Sequence, residues 1–282
     1  MSKEKNINNI FENICNKCEK LKENKNKEWI HILKSINYDP QNGDITITAD
    51  DIKKTRESWK GKSSQFEPRL LCKQDTKESR PEIFNLLGIC IISLQNGTYL
   101  LTKCNIYHEL ESMNDIPIIK IKKNNSSLVL NIGNSESMKL DILRTSGIYE
   151  RPEFLNEHIK YPSIFKGRHR ASFDTLINGE KYKIKGSQFE TDDCHESEHY
   201  IIIIEAKCNN TCNNEYKNFN IRQLYYPYRT IYDKFGTQKK IIPLFIRFDK
   251  NNIVNIWKYM WINPLELTNL SCIGQFRFKL ID

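Results

Sequence analysis

Hydrophobic and polar positions along the chain follow a helical period at first and a strand period later. In residues 1–26, Ile7, Ile10, Phe11, Ile14, Cys18 and Leu21 recur at helical spacing, which predicts an amphipathic helix. "EWIHILKSI" predicts a second helix, "DPQNGD" a turn and "ITIT" a short strand. "ADDIKKTRESWK" opens on a capping-type Asp and reads as a helix carrying Lys53, Lys54, Arg56 and Lys60. "RPEIFNLLG" is a short helix between a Pro start and a Gly stop. "ICIISLQNGTYLLTK" places two apolar runs around a "QNG" turn and is the clearest hairpin in the chain. Helices followed by a hairpin are the ingredients of a winged-helix-like unit.

After these come a strand ("IPIIKIKK"), a loop ("NNSS") and a helix ("SESMKLDILRTSGI"). The second half then turns to strands: "ASFDTLI", "KYKIKGSQF", "HYIIIIEA", "KIIPLFIRF", "NIVNIWKYMWI" and "FRFKLI". One helical stretch, "KNFNIRQLYYPYRTIYDKFG", lies between the third and fourth of them. Strands with embedded helices give a mixed α+β (α/β) fold class: a central mixed sheet flanked by helices, behind a mainly helical N-terminal region. The expected boundary lies near residue 125, giving an N-terminal region over 1–125 and a C-terminal region over 126–282.

The run "YIIIIEAKC", residues 200–208, raises a chemical question. Its apolar part suits a strand buried on both faces. Strand side chains alternate, so Glu205 and Lys207 share a face with Ile201 and Ile203, whereas Ala206 points away. Upstream lies "SQFETDDCHESEHY". A hairpin turning between Glu198 and His199 sets Asp192 opposite Glu205, on one face with it, and turns Asp193 away. His195 and His199 are expected to be exposed turn residues. Two close carboxylates repel unless a cation sits between them, and hard oxygen ligands suit Mg²⁺ or Mn²⁺. An E-x-K at a strand end is by itself common, and usually a solvated edge or a salt bridge. Gln223, on the helix after the strand, joins the set; the nearby Tyr225, Tyr226 and Tyr228 read as core.

Asp192, Glu205-Ala206-Lys207 and Gln223 together resemble the PD-(D/E)xK nuclease superfamily. "SQFETDD…IIIIEAK…NFNIRQLYYPYR" is similar, more narrowly, to a group of type II restriction endonucleases. The motif core covers about residues 165–230, and Thr191 stands where the motif's name has Pro. The resemblance implies a restriction-endonuclease-like catalytic core over 126–282, DNA recognition by 1–125, and a Mg²⁺ site, with Mn²⁺ as a substitute. Its ligands would be Asp192, Glu205 and the Ala206 carbonyl. Lys207 would position the attacking water and Gln223 would support the shell. The products would carry 5′-phosphates. Glu150 and Glu153 are candidates for a further acidic residue. The implied partners are double-stranded DNA, a second copy of the chain in a homodimer, and a cognate DNA methyltransferase as genetic partner. Two alternatives stay open: a structure-specific repair or mobile-element nuclease of the same fold, and a non-catalytic DNA-binding protein.

The formal net charge of +8 is compatible with a polyanionic partner. Lys53, Lys54, Arg56, Arg168, His169, Arg170 and Arg229 are the expected DNA contacts, the run "FKGRHR" being read as a basic loop before a strand. The 282 residues contain no apolar run of membrane-spanning length and open on no apolar signal core, so a cytosolic location without membrane contact is expected. Nine scattered cysteines fit a reducing compartment. The close pairs Cys15/Cys18 and Cys208/Cys212 would hold zinc only if they converged.

Overall fold

A computed structural model describes residues 24–39, 43–61, 66–124, 133, 135–209, 216–236 and 238–282. The predicted helix over 1–26 and Cys15, Cys18 and Cys212 fall outside the described residues, apart from the last positions of that helix. The fold is mixed α+β, built on a five-stranded and a six-stranded sheet.

The N-terminal elements follow the pattern closely. Helix α1 (Asn24–Ser35) is followed by strand β1 (Ile45–Thr48) and helix α2 (Ala49–Lys54), which a 3-10 turn continues over Thr55–Ser58. The cap of α2 is Thr48, not the expected Asp: its hydroxyl accepts from Asp51 N, and Asp51 accepts in return from Thr48 N, forming a reciprocal capping box. Helices α3 (Pro68–Leu71) and α4 (Glu82–Leu87) follow, α4 ending on Gly88 in the left-handed conformation. Strands β2 (Cys90–Gln95) and β3 (Thr98–Thr102) form the expected hairpin around Asn96-Gly97, where φ of +75° at Gly97 suits a residue without Cβ. Trp29, Ile32, Leu33, Ile47, Ile52, Phe84 and Leu101 bury a core under this unit.

Strands β4 (Tyr107–Glu109) and β5 (Ile118–Lys122), helix α5 (Glu136–Thr145, capped by Ser135) and a 3-10 turn (Ile148–Glu150) lead to the long strands β6 (Gly167–Ile177) and β7 (Glu180–Thr191). Then come β8 (Asp193–Glu196), β9 (Tyr200–Cys208), β10 (Asn218–Asn220), helix α6 (Arg222–Phe235), β11 (Lys240–Phe248), β12 (Ile253–Trp261) and β13 (Leu270–Ile281). The five-stranded sheet runs β1-β3-β2-β7-β6, and the six-stranded sheet β5-β13-β12-β11-β9-β8. Both sheets therefore draw strands from either side of residue 125. "FKGRHR" is not a loop: Gly167 to Arg170 already pair with Thr191 to Gln188, inside β6.

The six-stranded sheet is covered on both faces, which explains the isoleucine run. One face packs Ile202, Ile204 and Ala206 with Leu140 and Leu143 of α5. The other packs Ile201 and Ile203 with Leu224, Tyr225 and Phe245, beneath α6 and the β6–β7 pair. Strands β9 and β11 are parallel neighbours, joined through β10 and α6. Phe245 lies opposite Glu205 in that pairing and stacks on Phe219 at a centroid distance of 4.5 Å. Phe245→Ala is expected to cost about 3–5 kcal/mol in chemical denaturation, because a fully buried ring leaves a cavity.

Candidate active site

The hairpin that positions the site turns at Ser197–His199, where Ser197 N donates to Tyr200 O at 2.9 Å. Its register sets Asp193 opposite Ile204, and β8 ends there. Asp192 is the next residue outward, and Glu205 is the next on β9. With no β8 residue left to pair, the Ala206 amide on that edge is taken by the Asp192 carboxylate, 2.8 Å from N to Oδ2. A side chain thus completes the edge of the strand, and this holds Asp192 beside Glu205. Asp193 faces away and is fully buried.

Glu205 is 4% exposed, and its carboxylate has two cationic or amide donors. Lys207 Nζ donates to Glu205 Oε1 at 2.5 Å and to the Ala206 carbonyl at 3.0 Å. Gln223, at the second position of α6, donates its Nε2 to the same Oε1. Burial pushes the Glu205 carboxyl up to about 8, against the pull of Lys207 and with help from the Asp192 charge. Lys207 also loses hydration by burial, but Glu205 and Asp192 outweigh that loss and hold its ammonium above the usual range. Between them the pair keeps an extra proton near neutrality.

This donor set suits a hard cation. Asp192, Glu205 and the Ala206 carbonyl offer oxygens, and the Lys207 ammonium rests on two of the three as a stand-in positive charge. Gln223 Oε1 is a buried oxygen without a hydrogen-bond partner among the described residues. Oxygen-only surroundings fit Mg²⁺ or Mn²⁺ rather than zinc. Among the described residues, no group of three or more His, Cys, Asp or Glu side chains gathers at one point.

Two acidic residues near the site are not among the sequence-predicted set: Asp75, whose charge helps raise the Glu205 carboxyl, and Glu136. Glu136, in the first turn of α5, accepts from Cys208 N at 3.3 Å and adds to the field on Lys207. Glu150 and Glu153 are engaged elsewhere. Glu150 accepts from Ile159 N and pairs with His158, both at 2.8 Å, and Glu153 pairs with Arg151 at 2.5 Å. The only available signal for Glu136 was its place four residues before Leu140, the first buried apolar position of α5. The sequence does not show that this helix end meets the end of β9.

The expected DNA contacts divide. Lys53, Lys54 and Arg56 are exposed on α2 and the turn after it, and Arg168 and Arg170 are exposed on β6. Strand β6 begins opposite Thr191, so Arg168 lies close to Asp192 along the ladder. Two expectations are corrected. His169 is half-buried and stacks on Phe165 at 3.9 Å, with Phe189 beyond, so it packs rather than projects. Arg229 is 1% exposed; it donates to the Asp174 carbonyl at 3.0 Å and to Asp233 at 2.7 Å. Its neighbours on a buried helix face, and not its charge, decide its role. Arg229→Ala is expected to cost about 1–3 kcal/mol in denaturation, from lost packing of the buried side chain and an Asp174 carbonyl left without its donor. His195 is a further correction: it is fully buried in β8, accepts from Ser163 N through Nδ1, and burial holds its imidazole below the usual range. His199 is exposed, as expected, beside Glu157.

A family model described as "Domain of unknown function (DUF6997)" matches residues 102–279, and one described as "Domain of unknown function (DUF6996)" matches residues 26–101. The chain belongs to the DUF6997 family. The two matched segments meet at the end of β3. No curated protein and no solved structure matches the chain. Among the described residues, no helix is long and apolar enough to cross a membrane.

Proposed function

We propose that the chain is a metal-dependent endonuclease of the PD-(D/E)xK type that cuts double-stranded DNA at a fixed sequence. One observation carries this reading: Asp192, Glu205, Lys207 and Gln223 meet at one end of β9, two carboxylates and an ammonium within direct or one-residue reach of each other. A salt bridge that served only stability would not need a second carboxylate beside it, nor a buried amide oxygen left over.

Asp192, Glu205 and the Ala206 carbonyl would hold Mg²⁺, which supplies charge neutralisation at the scissile phosphate and a more acidic water. Lys207 then moves off Glu205 and donates to the attacking water or to the phosphate oxygen on which charge grows. Gln223 keeps Glu205 in place by its amide N–H. Water attacks phosphorus in line, the P–O3′ bond breaks, and the fragments end in 5′-phosphate and 3′-hydroxyl. Exposed Arg168 and Arg170 contact the backbone near the cut, and Lys53, Lys54 and Arg56 contact it from the N-terminal unit. Cutting both strands of a symmetric site takes two such centres, which a homodimer supplies. A methyltransferase of the same specificity would protect host DNA.

Purified chain is incubated with mixed plasmid and phage DNA in Mg²⁺, Ca²⁺ or EDTA. Discrete bands in Mg²⁺ alone are expected. An unchanged DNA ladder in Mg²⁺ and Mn²⁺ contradicts the reading.

A further inference from the structure

A polar pocket of about 360 Å³ opens between the N-terminal unit and the start of α6. Its lining includes Arg69, Lys73, Gln74, Asp75, Tyr99 and Arg222. The volume falls at the low end of small-molecule sites (roughly 300–1,000 Å³), so a single compact ligand fits. Arg222 directly precedes Gln223, the residue that donates to Glu205, so the pocket adjoins the carboxylate cluster.

Two features give the pocket a chemistry. Its charge is unbalanced: Arg69, Lys73 and Arg222 face one carboxylate, Asp75, which Lys73 already meets at 3.3 Å. An anion offsets the excess. The second feature is Gln74, which is 2% exposed. Its Oε1 accepts from the Tyr107 hydroxyl at 3.4 Å, and its backbone carbonyl accepts from Asn220 Nδ2 at 3.0 Å. Its Nε2 is buried with no partner among the described residues. A buried amide donor without an acceptor is costly unless a ligand supplies one. Tyr99 adds an aromatic wall, half-buried and able to lie against a planar ring. An anion, a hydrogen-bond acceptor and a flat ring occur together in a nucleotide.

We propose that this pocket holds one nucleoside 5′-phosphate moiety, its phosphate against Arg222, Arg69 and Lys73 and its base accepting from Gln74 Nε2. This deepens the nuclease reading and rests on it for the source of the moiety, which would be a nucleotide extruded from the substrate duplex beside the cut. Extrusion would let the N-terminal unit read a base by its edge inside a pocket, one residue from the catalytic set.

The full chain is titrated in EDTA with each of the four 2′-deoxynucleoside 5′-monophosphates and with inorganic phosphate, followed by calorimetry. At least one nucleotide is expected to saturate in the millimolar range or below, more tightly than phosphate. Arg222→Ala and Gln74→Leu should each weaken it tenfold or more. Lys73→Ala, on an exposed side chain, weakens it without risk to folding, and Lys181→Ala, seven residues along β7 from the lining residue Gln188, leaves it unchanged. No saturation by any nucleotide, phosphate binding as tight as the best nucleotide, or equal losses in Lys181→Ala and Arg222→Ala overturns the proposal. Because EDTA removes hydrolysis, a chain that binds nucleotide but never cuts DNA sinks the nuclease reading and leaves the pocket standing. The source is separated with duplexes carrying 2-aminopurine at successive positions, bound in Ca²⁺. A fluorescence rise at one position, lost in Arg222→Ala, assigns the moiety to an extruded nucleotide. Nucleotide binding without any rise assigns it to a free nucleotide.

Discussion

On the proposed mechanism, Lys207→Ala is expected to lower the rate of Mg²⁺-dependent cleavage by about 10³-fold and to leave DNA affinity and secondary structure as in the wild type. The size follows from removing one preorganised charge aimed at a developing anion in a water-poor site. The split follows from position. Lys207 is mostly buried, and its ammonium is spent on Glu205 and the Ala206 carbonyl, so it contributes little to duplex binding before reaction. Stability changes little, because the Glu205 carboxyl is already pushed up to about 8 and takes a proton when its partner is removed. Lys207→Arg does not rescue the rate, since a planar guanidinium cannot occupy the place of a compact ammonium between two oxygens. Single-turnover cleavage on a saturating duplex measures the loss. A variant that cuts at full rate removes Lys207 from the mechanism.

The second large effect expected is that bound metal offsets the pH dependence of stability. In EDTA the Glu205 carboxyl titrates near 8 in the folded chain and near the ordinary carboxylate value of 4.5 when unfolded. A group whose folded value is raised holds more protons in the native state across that window, so unfolding releases them. Stability is therefore fully present below the unfolded value and is lost as pH rises toward about 8. Each unit of difference carries about 1.4 kcal/mol at most, so a fall of a few kcal/mol is expected between about pH 5 and pH 8. Glu205→Gln flattens the curve in this window. Metal binding at the proposed site would need the ionised carboxylate and release its proton, so Mn²⁺ is expected to stabilise more at pH 8 than at pH 6. A metal concentration near a hundred times its Kd adds about 2.7 kcal/mol. Asp192→Asn loses most of that gain. Thermal melts of the three proteins in EDTA and in Mn²⁺ across this pH range check both parts. An equal Mn²⁺ gain in Asp192→Asn would detach Asp192 from the metal.

The core of the site was legible because it depends on short-range rules. Alternation along a strand puts Glu205 and Lys207 on one face. One tight turn at Ser197–His199 sets the register, and the register carries Asp192 to Glu205. Gln223 follows from a helix that starts soon after the strand. Elements with strong local signals also appeared where expected: the β2–β3 hairpin, α4 with its Gly stop, and the two-faced isoleucine strand.

The remainder depends on contacts distant in sequence. Glu136 and Asp75 both act on the cluster electrostatically, yet they lie 69 or more residues before Glu205 in the chain and no spacing rule links them. Arg229 reads as a DNA contact from its charge alone, but α6 is buried on most of its surface and covers it. His195 sits in a short strand that looked like a turn, because four residues, three of them buried, carry little period. Residues 218–220 form β10 instead of a helical start, since they pair with β4, which lies more than a hundred residues earlier. The division of the long strands between the five-stranded and the six-stranded sheet was not readable at all. It depends on β7 leaving β8 at Asp192, the same point where the site forms.

Sequencing the ends of genomic DNA digested by the wild type and by Glu205→Gln, side by side in Mg²⁺, tests the central claim most directly. The account predicts 5′-phosphorylated ends at one fixed sequence in the wild-type sample and their absence from the variant. Ends scattered without sequence preference, or the same ends at the same frequency in both samples, would contradict it.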